Sequence, residues 1–358
     1  MSAAAFKRRV LRALYEDVHT TEVDNYAPER FSFDGVDRSN VLDYDRLAWY
    51  LDWFGANAEQ VYFAHEKLAD QESRDLYLDL LRYRLSGHLH VRIRSRVPQR
   101  SERVREFKAT FTAAPSELPS RGMFGALVHY DQIWEGRRYT VDTNRDALIY
   151  PLVYRQYHFE RNGIVIRPES GDHVVDGGAC LGDTAVVFSR WTGSRGHVYA
   201  LEPVQDHLDV CNYNFGRPGY ENITALPYGL SDRSVDAPTI RLDGYNPGWR
   251  PGEDDVIPLR SIDDLVMDGT LPRVDFIKMD IEGSEFDALN GAVSSLRRFR
   301  PRLAISIYHQ FDDYFRLQHF IDELGLGYRF YIDHHTIWDE ETVLYAISDQ
   351  VRALDHSR

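Results

Sequence analysis

The segment "VVDGGACLGDT", Val174 to Thr184, constrains the fold more than any other stretch of the chain. Val174 and Val175 close an apolar run, Asp176, Gly177, Gly178, Ala179 and Gly182 follow, and "TAVVFSRW" reads as helix. A strand that passes through a glycine turn into a helix presents backbone N–H groups where open α/β sheets gather ligands. Residue type then separates the ligands such a turn can hold. A dinucleotide fingerprint needs G-x-G-x-x-G, and Ala179 stands where the middle glycine admits a pyrophosphate. No lysine follows Gly182, which argues against a phosphate-binding P-loop. Asp176 would repel a phosphate and suits an ammonium group. The next apolar run, "HVYALEP", ends on Glu202, about 20 residues after Gly182, where an acid commonly meets the two hydroxyls of an adenosine ribose. A ribose and an amino group without phosphate describe S-adenosylmethionine.

From about Arg167 short apolar runs alternate with helical periodicity, the signature of a mostly parallel sheet covered by helices. The runs are "HVVDGG", "HVYALEP", "ITALPYGLSD", "VDFIKMDIEG", "RLAISIYH", "YRFYIDHH" and "TVLYAIS". Between the fourth and fifth, Phe286, Leu289, Val293, Leu296 and Phe299 fall on one helix face, and Pro301 stops that helix. The last two runs are joined by a short loop, so the final strand is expected to run against the others. Residues 1–150 read mainly as a helical N-terminal extension, a lid, an acceptor-binding wall or an oligomer interface, and residues 151–358 as the α/β domain. Trp49, Tyr50, Trp53, Tyr62, Tyr77 and Tyr83 read as core. Val97 to Gly125 reads as a connector.

The formal net charge of -14 disfavours general affinity for nucleic acid or anionic lipid. The arginine-rich stretch Val91 to Lys108 is a local exception, read as a solvated face or an anion-binding patch. Two cysteines, Cys180 and Cys211, make no disulfide framework, and no Cys/His spacing resembles a zinc site. No apolar run approaches the roughly 20 residues of a membrane span, and the N-terminus lacks a secretory h-region, so a cytoplasmic location is expected.

Together "VVDGGACLGDTAVVFSR", "HVYALEPV", "LPYGLSD", "SIDDLV", "VDFIKMDIEGSEFDALNGA" and "PRLAISIYH" resemble the FkbM-type family of S-adenosylmethionine-dependent methyltransferases, with "FIKMDIEGSE" the most specific part. The resemblance spans about Tyr157 to Ala346. It implies a Rossmann-like, seven-stranded class I methyltransferase fold and methylation of a hydroxyl on a sugar, polyketide or other secondary metabolite. It also implies that Asp176, Gly177, Gly178, Ala179, Gly182 and Asp183 shape the methionine end of the cofactor pocket, and that Glu202, next to Pro203, holds the ribose. Gly229, Leu230 and Ser231 would border the adenine, and Asp280 would sit beside the transferred methyl group. Thr184 is either a helix cap or a cofactor contact. Gln156 and Tyr157 would wall the cofactor from upstream.

Methyl transfer to oxygen needs alignment and a group that takes the hydroxyl proton. His309, ending the fifth run beside Asp280, is the favoured base, as a neutral imidazole. Lys278 alternates with Asp280 along its strand, so an ion pair between them competes with direct catalysis by either. Glu282 opens the turn into the next helix, as a cap or an acceptor contact. A divalent metal on Asp280, Glu282 and His309 is a disfavoured alternative. His158, His334, His335, Tyr245 and Trp249 are candidate acceptor contacts. The leading expectation is O-methylation of a sugar or glycosylated natural product. The alternatives are an RNA-modifying methyltransferase and a non-catalytic cofactor-binding or assembly protein.

Overall fold

The computed structural model describes residues 1–18, 44–87, 90–93, 101–111, 114–119, 125–236, 257–336 and 340–349. Tyr245 and Trp249 lie outside them, as does part of the arginine-rich stretch. Helices α1 (Ala3–Val18), α2 (Tyr44–Lys67), α3 (Gln71–Ser86) and α4 (Ser101–Thr110) come first, so part of the expected connector is helical. An antiparallel hairpin of Val128–Trp134 and Arg137–Thr143 follows within a first half that is mainly helical, as expected. A single π-type turn, Tyr150–Tyr154, then leads into Gln156 and Tyr157.

The main sheet has seven strands among the described residues: β1 (His173–Gly177), β2 (His197–Leu201), β3 (Ile223–Leu226), β4 (Phe276–Met279), β5 (Arg302–Ser306), β6 (Tyr328–His334) and β7 (Thr342–Ser348). Their spatial order is β6-β7-β5-β4-β1-β2-β3. The pairs from β5 through β3 are parallel, whereas β7 runs antiparallel to both β5 and β6, as the short β6–β7 connection requires. Chain order reverses beside β1, so β1 and β4 open a crevice at their carboxyl ends.

Strand side chains alternate between two apolar layers. Val175, Ile277, Met279, Leu303, Ile305 and Leu344 pack with α1, α2 and α3 residues such as Phe6, Phe54, Leu80 and Leu85. Val174, Phe276, Ala304, Val343 and Tyr345 face the other way, onto Phe188 of α5 (Asp183–Thr192), Cys211 of α6 (Gln205–Phe215) and hairpin residues Tyr130, Tyr139 and Val141. Residues before 150 therefore contribute to both layers, and the apolar contacts do not divide at 150 into an extension and a domain. The segment joining α2 to α3 also protects an edge: Leu68 bridges Phe330 of β6, and the Ala69 N–H donates to the Phe330 carbonyl at 2.8 Å.

Among the described residues no helix is long and apolar enough to cross a membrane, and both cysteines are free.

Candidate active site

The glycine turn is closed on itself. The N–H groups of Gly178 and Ala179 both donate to the Leu201 carbonyl at 3.0 Å, and that of Gly182 donates to Ala179 at 2.7 Å. The Cys180 N–H, from a left-handed residue with φ 49°, donates to Glu202 Oε2 at 2.8 Å. Four of the turn's donors, those of Gly178, Ala179, Cys180 and Gly182, are thus taken by Leu201, Glu202 and Ala179 and are not free for a ligand as expected. Gly178 has φ +75°, and a Cβ there would overlap the Asp280 carbonyl oxygen. Glycine is what lets β1 and β4 touch at this end.

Asp176 is fully buried and already has its ammonium partner. Lys278 Nζ lies 3.1 Å from Asp176 Oδ1 and donates to the carbonyls of Gly177 and Gly178 at 2.9 and 2.7 Å. The anticipated Lys278–Asp280 pair is thus replaced. Both residues do share a side of β4, but Asp176 stands directly opposite Lys278 on β1, and adjacent strands are closer than residues i and i+2 of one strand. Burial works against the Lys278 charge, yet the carboxylates of Asp176 and Asp280 raise its pKa above the ordinary value. Thr184 Oγ1 donates to Asp176 Oδ2 at 2.7 Å, and Gly182 is the N-cap of α5, so Thr184 is not the helix cap. Neither Asp176 nor Lys278 is left free for chemistry. Asp183 is half-buried in the first turn of α5, and burial pushes its carboxyl up to about 6.

Glu202 caps the end of β2. Its Oε1 accepts from the Val204 N–H at 2.9 Å, its Oε2 takes the Cys180 donor, and His207 Nδ1 lies 3.5 Å from Oε1. Each carboxylate oxygen keeps lone-pair capacity for a further donor. Gly229 and Leu230 form a short parallel bridge with Leu259 and Arg260, and the Ser231 N–H donates to the Arg260 carbonyl at 3.0 Å. A Cβ on Gly229 would lie 3.9 Å from Pro203, and one on Gly177 would lie 2.8 Å from the Leu230 side chain. These residues gather along the β1–β2–β3 end.

Asp280, just past β4, is the centre of the other half. Its Oδ2 accepts from Tyr157 Oη at 2.8 Å and its Oδ1 from Tyr308 Oη at 2.9 Å. Gln156 Nε2 donates to Tyr157 Oη at 3.0 Å and to Glu341, while the Tyr157 N–H donates to Tyr345 Oη at 3.0 Å. Burial opposes the Asp280 charge, but Lys278, His309 and the two phenols hold its pKa below the usual value. Glu341 goes the other way: burial and the Asp280 charge push it up to about 8.

His309 lies between carboxylates. Its Nδ1 is 2.9 Å from Glu285 Oε1, and its Nε2 is 3.5 Å from Asp280 Oδ1 and 3.6 Å from Glu282 Oε2. Burial pulls its pKa down, but the Glu285 hydrogen bond and the charges of Glu285, Asp280 and Glu282 push it up to about 9. Its carboxylate neighbours thus favour the protonated ring over the neutral imidazole expected from the sequence. Glu282, at φ 56°, sits exposed at the rim and does not cap the helix Glu285–Asn290; Glu285 instead reaches back to accept the Ile281 N–H at 2.9 Å.

Asp280, Glu285 and His309 bring donor atoms within 4.8 Å of one another, so the nearest cation set contains Glu285 in place of Glu282. His309 turns a different ring nitrogen to each carboxylate, whereas an ion takes one nitrogen and draws its ligands to about 2.0–2.3 Å. That geometry favours proton handling over coordination.

The other three candidate histidines make contacts within the fold. His334 is wholly buried on β6 with Nδ1 2.9 Å from Thr342 Oγ1, and buried His335 has Nε2 3.1 Å from Tyr345 Oη. Neither lines an acceptor pocket, because strand pairing and burial enclose them. His158 packs edge-on to Trp191, ring centroids 5.5 Å apart, at the far end of α5 from the glycine turn, and so does not face the cleft. Sequence reasoning missed Tyr308, Glu285 and Glu341. The spacing of Glu285 after the turn is a helix-start signal that would have found it; nothing local marks Glu341.

Strand order, the glycine turn and the carboxyl-end crevice define a Rossmann-like methyltransferase fold. Residues 176–330 match the family model described as the methyltransferase FkbM domain. Over those residues the chain is similar to the FkbM-type methyltransferases. The hexuronic acid methyltransferase AglP of Haloferax volcanii is 31% identical over 134 residues, 36% of this chain and 53% of that protein. The chain thus matches about half the length of this curated relative. Methyltransferase FkbM from Methylobacillus flagellatus KT has a similar fold, with TM-score 0.53 at 22% identity over 85% of this chain and 62% of that one.

Proposed function

We propose that the protein transfers a methyl group from S-adenosylmethionine to a hydroxyl oxygen of a small polyhydroxylated acceptor, a sugar or glycosylated natural product. The observation that carries this reading is Asp280, held by two phenols and flanked by His309, at the β4 end against the glycine turn. The residues present suit the cofactor. Glu202 keeps acceptor capacity for ribose hydroxyls, Gly229 to Ser231 offer an edge for adenine, and a turn with satisfied N–H groups matches a ligand without phosphate.

When bound, S-adenosylmethionine supplies an electrophilic methyl carbon next to a positive sulfur. Asp280 and the phenols of Tyr157 and Tyr308 orient the acceptor side. His309, once it has released its own Nε2 proton to solvent past exposed Glu282, would take the hydroxyl proton on that nitrogen. A sulfonium held beside Asp280 would lower the His309 pKa by like-charge repulsion. Asp280, Glu282 and Glu285 around a single imidazole, with Glu341 pushed toward its neutral form, leave no excess positive charge for a polyanion, which supports a sugar hydroxyl against RNA. The name of the relative AglP supports a carbohydrate.

Calorimetric titration with S-adenosylmethionine, for the wild type and Glu202→Ala, tests the cofactor half. Saturable binding weakened by the substitution supports the reading; no binding by the folded wild type overturns it. Transfer of labelled methyl to a panel of neutral sugars, uronic acids and RNA then tests the acceptor, and labelling of RNA alone would defeat the carbohydrate assignment.

A further inference from the structure

The loop after β5 carries Tyr308 and His309, and it is gripped by helices that lie outside residues 176–330 of the family match. Arg84, near the end of α3, donates from Nη2 to the Tyr308 carbonyl oxygen at 2.6 Å. Its guanidinium carbon lies 4.5 Å from the Phe311 ring centre and 4.9 Å from that of Tyr314. Trp53 of α2 donates from Nε1 to Asp312 Oδ1 at 2.7 Å. The rings of Trp49, Tyr50 and Trp53 close on Phe311 with centroids 4.9, 5.1 and 5.2 Å away.

We infer that Arg84, assisted by Trp53, is a positioning residue that fixes the Tyr308–His309 loop against Asp280, so that the N-terminal helices complete the acceptor half of the site. This rests on the role given to His309 above. The Tyr308 carbonyl belongs to the peptide that joins Tyr308 to His309, so the Arg84 hydrogen bond fixes the plane from which the imidazole departs. The same plane sets the reach of Tyr308 Oη to Asp280. A planar guanidinium stacks on a ring and donates in its own plane at once, whereas a lysine ammonium offers a point charge without the stack. Arg84 is 8% exposed, and plain packing would be served by an apolar side chain without desolvating a charge. Among the described residues the charged groups acting on His309 are Glu285, Asp280, Glu282 and Glu341, none from the N-terminal helices, so Arg84 acts on the imidazole through the backbone.

The test compares the full-length wild type with Arg84→Met, Arg84→Lys and Trp53→Phe. Three quantities are read: S-adenosylmethionine affinity by calorimetry, kcat and KM for the acceptor found in the sugar panel, and the His309 titration midpoint by side-chain NMR. Arg84→Met is expected to lower kcat about 10- to 100-fold, as a misplacement near 1 Å does, while cofactor affinity stays at the wild-type value. The His309 midpoint should fall from about 9 toward its ordinary value as Glu285 and Asp280 lose register. Arg84→Lys should recover part of the loss, and Trp53→Phe should show a smaller change in the same direction. Wild-type kcat and midpoint in both Arg84→Met and Trp53→Phe would overturn the inference. So would a parallel loss of cofactor affinity and melting temperature, which would mark general packing instead. If the wild type binds no S-adenosylmethionine, the functional reading fails, but the His309 midpoint still decides whether Arg84 positions the loop.

Discussion

The two halves of the crevice are built by opposite means. The half proposed for the cofactor comes from one continuous segment, Val174 to Thr184, with Lys278 and Glu202 completing its hydrogen bonds; the charge of its Asp176 is paired and buried. The half proposed for the acceptor draws on Tyr157, Asp280, Tyr308, His309 and Glu341, from separate segments, and gathers acidic groups around one imidazole. Tyr157 and Glu341 of this half, and Glu282 at its rim, have positive φ without being glycine, against Cys180 in the glycine turn, a conformation that costs about 1–3 kcal/mol each. A turn that must fit a fixed cofactor can be satisfied locally. A pocket that must orient an acceptor and move a proton is left with strain and unbalanced charge, which the surrounding fold has to hold.

The comparison predicts that damage to the cofactor half appears as lost stability and damage to the acceptor half as lost rate. The largest effect is expected for Lys278→Met, which leaves Asp176 buried without its cation: a loss of about 3–5 kcal/mol in denaturant unfolding. A loss below about 1 kcal/mol, the range of an exposed pair, would break the contrast. Gly178→Ala follows, with about 3 kcal/mol from the left-handed backbone and the collision with Asp280, read by the same measurement.

For His309 the sign is set by a folded pKa of about 9, above the ordinary value of 6.5. Its stabilisation is fully present below the ordinary value and is lost as pH rises through about 9. The full loss is on the order of 3 kcal/mol, and His309→Gln should flatten that part of the stability–pH curve. An unchanged slope in the variant would show that His309 is not charged in the folded protein. Tyr308→Phe sharpens the contrast with the smallest change. It removes one hydrogen bond to a carboxylate, worth about 1.5–3 kcal/mol, and should lower kcat while leaving cofactor affinity intact. A selective loss of cofactor affinity would move Tyr308 into the other half.

Local pattern gave access to the parts that local physics governs. The short apolar runs, the glycine turn and the short β6–β7 loop made the sheet legible, including its antiparallel last strand. Parity along β4 placed Lys278 and Asp280 on one side correctly, yet pairing depends on the opposite strand, and register put Asp176 there. His334 and His335 read as acceptor contacts because polar residues at a strand end commonly face a cleft; their burial follows from β7 and Tyr345 closing over them.

The sequence by itself determined the alternating α/β architecture, the phosphate-free character of the glycine turn and the meeting of Asp280 with His309 at adjacent strand ends. These follow from periodicity and residue type within short windows. Only the tertiary structure decided that the lysine belongs to Asp176, that Glu285 raises the His309 pKa, and that Arg84 and Trp53 grip the loop beside it. Each of those depends on which residues are brought together across long stretches of chain, and a charge or hydrogen bond acts over a few ångströms of space whatever the separation in sequence.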